Sequence, residues 1–178
     1  IRLAVLAARL NGLTIMAADV GNAYLEAKTQ EKVFIVAGPE FGERAGHVLV
    51  IEKALYGLRT SGARWHERFA TSLKEEGFWQ SKADPDLWMR DAGDCYEYIC
   101  VYVDDLLVMM KLPSEFMGRL QGVHGYKLKG VGPPKYHLGA NYFNDPNGTF
   151  GMGAGEYVQK ILANFKRTYG EEEPRIYV

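Results

Sequence analysis

The sequence predicts an α+β fold in which a mostly antiparallel sheet packs on helices, and three patterns carry that expectation. First, two uninterrupted apolar runs, 98–103 and 106–110, flank the pair Asp104-Asp105, so both read as buried strands joined by a tight acidic turn. Second, another apolar run, 13–18, ends in Asp19. Third, Trp65, Phe69 and Leu73 recur at i, i+4 and i+8, one face of a helix that Gly77 stops.

In chain order, residues 1–10 read as an amphipathic helix stopped by Asn11-Gly12. The strand ending at Asp19 follows, then a short helical turn over 23–27. Runs 32–36 and 48–53 read as two strands of a hairpin, joined by a Gly- and Pro-rich loop over 38–46. A helix over 62–76 leads to a strand at 87–90 and then to the acidic hairpin. A short helix is expected over 114–120. Beyond it Tyr126, Lys127, Leu128 and Lys129 alternate as in a short strand, so both lysines project from one side. A loop holding Gly130, Gly132, Pro133 and Pro134 comes next. A second hairpin turns at Asp145-Pro146-Asn147-Gly148, and a helix over 155–168 completes the layout.

Composition bounds the reading. At 178 residues the chain is one domain's worth, 1–178, long enough to bury well over half its unfolded surface. With 47% hydrophobic and 24% charged residues it is an ordinary globular chain rather than a disordered one. A net charge of −1 is a poor match for a domain that grips a polyanion unaided, so any basic surface must be local. Cys95 and Cys100 lack the further ligands of a zinc site and read as reduced structural thiols. His47, His66, His124 and His137 are scattered and read neither as ligands nor as acid–base groups. No apolar segment reaches the roughly 20 residues that span a bilayer, so no membrane partner is expected.

The acids carry the chemistry. Adjacent carboxylates repel each other and lose solvation against apolar strands, and a divalent cation is the usual remedy. If the strand ending at Asp19 lies beside the acidic hairpin, three carboxylates meet at one sheet edge. Such hard oxygen donors suit Mg²⁺, which takes octahedral oxygen ligands at about 2.1 Å. Two ions about 4 Å apart can activate a hydroxyl and stabilise a leaving pyrophosphate. The plainer alternative is a hairpin turn that favours acids for local reasons.

Five blocks resemble one family. Asp19-Val20-Gly21-Asn22-Ala23-Tyr24 and Tyr102-Val103-Asp104-Asp105 resemble the first and second catalytic motifs of reverse transcriptases. Lys53 to Arg59 with Ala63-Arg64-Trp65-His66, Ser81 to Trp88, and Tyr136-His137-Leu138-Gly139 with the stretch 157–165 are similar to blocks of copia-type retrotransposon polymerases. The resemblance implies a polymerase palm with partial fingers, and a fragment: basic N-terminal fingers, thumb and ribonuclease H domain would lie outside it. It implies two-metal nucleotidyl transfer from a deoxynucleoside triphosphate to a primer 3′-hydroxyl on an RNA or DNA template. Two Mg²⁺ ions would serve, or Mn²⁺, within a Pol polyprotein. The location would be cytoplasmic, in a virus-like particle, or nuclear.

Residue by residue, the resemblance makes Asp19 and Asp104 the principal metal ligands, with the Val20 carbonyl assisting and Asp105 secondary or setting the local field. Tyr24 becomes the aromatic that obstructs a ribose 2′-hydroxyl, the plain alternative being core packing. Tyr56 and Gly57 would seat the nascent base pair, and Lys129 would protonate the leaving pyrophosphate. Arg59, Arg64 and Arg68, with Tyr102, are candidates for nucleic-acid contact; the arginines read equally as a solvated face. Two departures stand out: Thr60-Ser61-Gly62 fills a place where the family has proline, and the stretch between Met110 and Tyr126 is shorter than the family's. A catalytically incompetent or co-opted module that binds without polymerising is therefore the rival expectation.

Overall fold

The Asn11-Gly12 stop and the strand periodicity after it set the first elements of the structure, a computed structural model describing residues 1–170. Helix α1 (Arg2–Leu10) ends as its Asn11 side chain donates to the Ala7 carbonyl. Strand β1 (Thr14–Val20) follows, then a 3₁₀ turn (Ala23–Glu26) entered through Asn22 in the left-handed region. Strands β2 (Phe34–Val36) and β3 (Val48–Val50) pair as the expected hairpin, and the loop between them winds into a 3₁₀ stretch over Pro39–Arg44. Helix α2 (Ser61–Glu75) stops at Gly77, whose φ is +83°. Strands β4 (Trp79–Gln80), β5 (Leu87–Asp91), β6 (Tyr96–Tyr102) and β7 (Asp105–Met110) lead to helix α3 (Pro113–Gly122) and strand β8 (Leu128–Gly132).

Six of these strands form one sheet in the order β4-β5-β6-β7-β1-β8, every neighbouring pair antiparallel. The placement of β1 between β7 and β8 is the step that no local pattern states. Strand alternation divides the sheet into two faces. Ala18, Val20, Ile99, Val101, Leu106 and Val108 join α2 and α3 in the main core, with Trp65, Phe69, Leu73 and Phe116. The opposite face holds buried Ile15, Cys100, Leu107 and Met109, whose register partners agree in parity, and α1 packs there through Ala4, Val5 and Ala8. Burial pushes the Cys100 thiol up to about 11, which keeps it protonated and inert, in line with a structural role.

Helix α1 covers part of the second sheet face. The sheet also runs on through Gly130 and Gly132, which were read as loop: pairing with β1 gives glycine-rich backbone a ladder that its composition does not advertise. Two-residue strands at Trp79–Gln80 and Tyr136–His137 were not legible, since two residues carry no period.

The chain divides into two compact units, Ile1–Gly132 and Pro133–Val178. The second holds β9 (Tyr136–His137), β10 (Ala140–Asn144), β11 (Phe150–Gly153) and α4 (Gly155–Tyr169), with sheet order β11-β10-β9. The Asp145 carboxylate accepts from the Asn147 and Thr149 amides at 3.0 and 2.7 Å, which makes the expected turn. Among the described residues no helix is long and apolar enough to cross a membrane.

Candidate active site

Antiparallel pairing of β1 with β7 ends on an acid against an acid: Asp19 is the register partner of Asp105. Directly opposed side chains share a face, with Cβ atoms about 5 Å apart, and like charges so placed destabilise a sheet. The next backbone bond, Val20 N–H to the Asp104 carbonyl at 2.8 Å, ties the turn to β1. On the other side of β1, Asp19 is the register partner of Lys129. Three distant stretches of chain thus meet on one sheet edge. Asp105, read as the secondary acid, is the one that faces Asp19 directly.

Glycine makes the Lys129 side of this edge possible. A Cβ on Gly21 would stand 3.0 Å from the Lys129 Cε and 3.2 Å from the Lys127 carbonyl, which accepts from the Gly21 amide at 2.7 Å. A side chain there would make the Lys129 side chain and the Lys127 carbonyl give by a few tenths of an ångström.

The acidic turn is strained. Only Val103 and Asp104 link β6 to β7, and Val103 takes a φ of +54° although it is β-branched. Such a conformation costs about 1–3 kcal/mol and persists only where surrounding contacts hold it. Buried Trp65 supplies one, its indole N–H donating to the Val103 carbonyl at 2.6 Å.

Two tyrosines stand beside the acids. The Tyr24 and Tyr56 rings lie 4.4 Å apart between centroids, tilted by 43°. Desolvation, followed by the negative fields of Asp104, Tyr24 and Asp19, raises the Tyr56 hydroxyl above the ordinary tyrosine value. Gly57 has a φ of +96° and open space where a Cβ would go, so the backbone bend requires it rather than any crowding. Behind the turn a cavity of about 190 Å³ is lined by Tyr24, Trp65, Phe69, Trp88 and Val103 among others.

The arginines part company. Arg59 is exposed. Arg64 pairs with Glu67 at 2.7 Å, and its Nε is buried without a hydrogen-bond partner. Arg68 donates to the Ser72 hydroxyl at 2.8 Å and the His124 carbonyl at 3.3 Å, and lies over the Tyr126 ring, so its charge is engaged inside the fold. Tyr102 is exposed and pairs with Asp105 across the hairpin.

Several contributors were not singled out from sequence. Glu31 accepts from the Thr60 amide and hydroxyl at 2.9 and 2.6 Å, fixing the start of α2. These bonds hold the Glu31 carboxyl below the usual carboxylate range. Glu76 is bound by Arg119 at 2.7 Å and His124 at 3.0 Å. No sequence spacing announces partners 43 and 48 residues apart.

The donor set at the acidic edge, carboxylates and backbone carbonyls, is of the kind that takes a hard divalent cation. Among the described residues, however, no group of three or more His, Cys, Asp and Glu is gathered so as to hold a metal ion. The acids share an edge without closing around one point.

Comparison with known proteins places this edge in context. Residues 1–175 match the sequence model of the family described as reverse transcriptase (RNA-dependent DNA polymerase). The chain belongs to that family. The copia-type blocks fit it. Over 148 residues, 82% of the chain, it is 30% identical to a transposon Ty5-1 protein of Saccharomyces cerevisiae, covering 48% of that protein. It is 28% identical to the retrovirus-related Pol polyprotein from transposon RE1 of Arabidopsis thaliana, over 82% of the chain and 10% of the polyprotein. Against the corresponding polyprotein from transposon TNT 1-94 of Nicotiana tabacum it is 26% identical over 90% of the chain and 12% of the polyprotein. The chain therefore spans about half of the yeast relative and about a tenth of the plant ones.

Proposed function

We propose that the chain is the palm, with part of the fingers, of an RNA-directed DNA polymerase encoded by a copia-type retrotransposon and carried within a Pol polyprotein. A primer 3′-hydroxyl attacks the α-phosphate of a deoxynucleoside triphosphate on an RNA or DNA template, and pyrophosphate leaves. The observation that carries this reading is the pairing of Asp19 with Asp105 and of Val20 with the Asp104 carbonyl. It unites the two stretches that resemble the catalytic motifs of reverse transcriptases and sets two acids directly opposite each other.

Asp19 and Asp104, with the Val20 carbonyl and with Asp105 secondary, would hold two Mg²⁺ ions, or Mn²⁺. These supply charge neutralisation at the reacting phosphates. The rest is positioning. Tyr24, its ring tilted against that of Tyr56, excludes a ribose 2′-hydroxyl. Tyr56 and Gly57 seat the nascent pair. Lys129, beside Asp19, donates its proton to the departing pyrophosphate. Arg59 and Arg64 contact template or primer phosphates, with Tyr102 against the primer; Arg68 acts mainly by bracing α2.

Primer extension tests the reading. The protein, with oligo(dT) on poly(rA) and Mg²⁺, is expected to elongate the primer, and Asp104→Asn is expected to abolish elongation. Tight primer–template binding without incorporation would instead favour a co-opted binding module.

A further inference from the structure

The polypeptide on either side of Asp104 is held at two consecutive carbonyls. The Val103 carbonyl, in the peptide before Asp104, accepts from the Trp65 indole at 2.6 Å. The Asp104 carbonyl, in the peptide after it, accepts from the Val20 amide at 2.8 Å. Fixing both peptide planes fixes the direction of the Cα–Cβ bond between them. The second anchor is ordinary backbone next to Asp19. The first is a side chain 38 residues away, and the peptide it holds begins at a β-branched residue with φ of +54°.

The indole is itself immobilised. Trp65 is 2% exposed, stacks on Phe69 with centroids 5.1 Å apart and meets Tyr126 edge-on at 5.7 Å. Its N–H therefore points from a rigid platform on α2, and an indole has only that one hydrogen-bonding group to offer. The start of the same helix is tied to Glu31 through Thr60.

We propose that Trp65 is the positioning residue of the acidic turn: its N–H holds Val103 in the left-handed conformation and so fixes the direction in which the Asp104 side chain leaves the turn. The consequence for catalysis rests on the polymerase reading above; the consequence for the turn does not. The hydrogen bond acts on placement of Asp104, so its loss lowers turnover while leaving affinity for the nucleotide unchanged.

Two replacements remove the N–H, and they differ in how much packing they preserve. Trp65→Phe keeps an aromatic ring. Incorporation of 3-benzothienylalanine at position 65 keeps the bicyclic shape, with sulfur where the N–H stands. In the 178-residue chain, the benzothienyl variant is expected to retain its melting temperature within a few degrees while the backbone amide resonances of Asp104 and Asp105 shift or broaden. In primer extension by the protein, kcat is expected to fall roughly tenfold to a hundredfold, with KM for the nucleotide unchanged. In a Val103→Gly background, where left-handed backbone carries no strain, the same replacement is expected to lower kcat less than about threefold relative to Val103→Gly alone.

Unchanged turn resonances in the benzothienyl variant would overturn the proposal, whether or not the protein polymerises. So would a loss of kcat of equal size in both backgrounds, which would make Trp65 ordinary core packing. A wild-type protein that extends no primer, with turn resonances that still respond to position 65, would remove the polymerase reading and leave the turn's anchor standing.

Discussion

Helix α2 has acids in reach of both its ends, and they are treated in opposite ways. At its C-terminal end Glu76 is only 11% exposed and is met by Arg119 and His124, while Arg90 donates to the Glu76 carbonyl and pairs with buried Glu97 at 2.6 Å. Toward its N-terminal end Trp65 grips the turn that carries Asp104, where Asp19 and Asp105 stand opposed. Arg64, Arg90, Lys111 and Arg119 pair with Glu67, Glu97, Asp94 and Glu76. A carboxylate that the fold requires is neutralised from within. At the turn the register instead sets one acid directly against another.

The contrast can be broken most sharply at Asp104. Asp104→Asn should reduce primer extension by about a thousandfold, because an interaction used in the transition state is lost. Its melting temperature should stay level or rise, since one of the crowded charges goes; a large drop would place Asp104 with Glu76 as a structural acid. Next in size, Tyr24→Ala should raise ribonucleotide incorporation relative to deoxyribonucleotide by roughly tenfold or more, read from competing triphosphates. Unaltered sugar discrimination would return Tyr24 to the core.

Glu76→Gln should show the reverse profile. Urea unfolding should reveal a loss of about 2 kcal/mol as the charge-assisted bonds to Arg119 and His124 weaken, with activity per folded molecule retained. The smallest effect concerns acid. Desolvation raises the Glu76 carboxyl, but the hydrogen bonds from Arg119 and His124 outweigh it and leave the group below its ordinary value of 4.5. A lowered folded value means stability that is complete above the unfolded value and lost as pH falls below about 4.5 through the folded one. The acid limb of the wild-type stability curve should therefore be steeper than that of Glu76→Gln between roughly pH 5 and 3.

Much of this was legible before any coordinates. Apolar runs long enough to show a period, such as 98–103 and 106–110, declare themselves, and so do helices with a stripe like Trp65, Phe69 and Leu73. Glycine stops at positions 12, 77 and 148 mark ends because few other residues accept the backbone they adopt. The acids themselves were conspicuous for the same reason: charge at the end of an apolar strand violates the local pattern. Trp79 and Tyr136, in strands of two residues, had no period to betray them.

What the amino-acid order settled alone is the inventory of the longer elements: which of them are helix or strand, and which three acids lie at strand ends or the turn between them. Those follow from interactions within a few residues. Only tertiary structure decided that β1 lies between β7 and β8, that Asp105 rather than Asp104 opposes Asp19, and that Trp65 and Glu31 brace the turn and its helix. Hydrogen bonds and registers between residues tens of positions apart depend on how whole elements pack, and packing is a property of shapes that meet in space and leave no periodic trace in the chain.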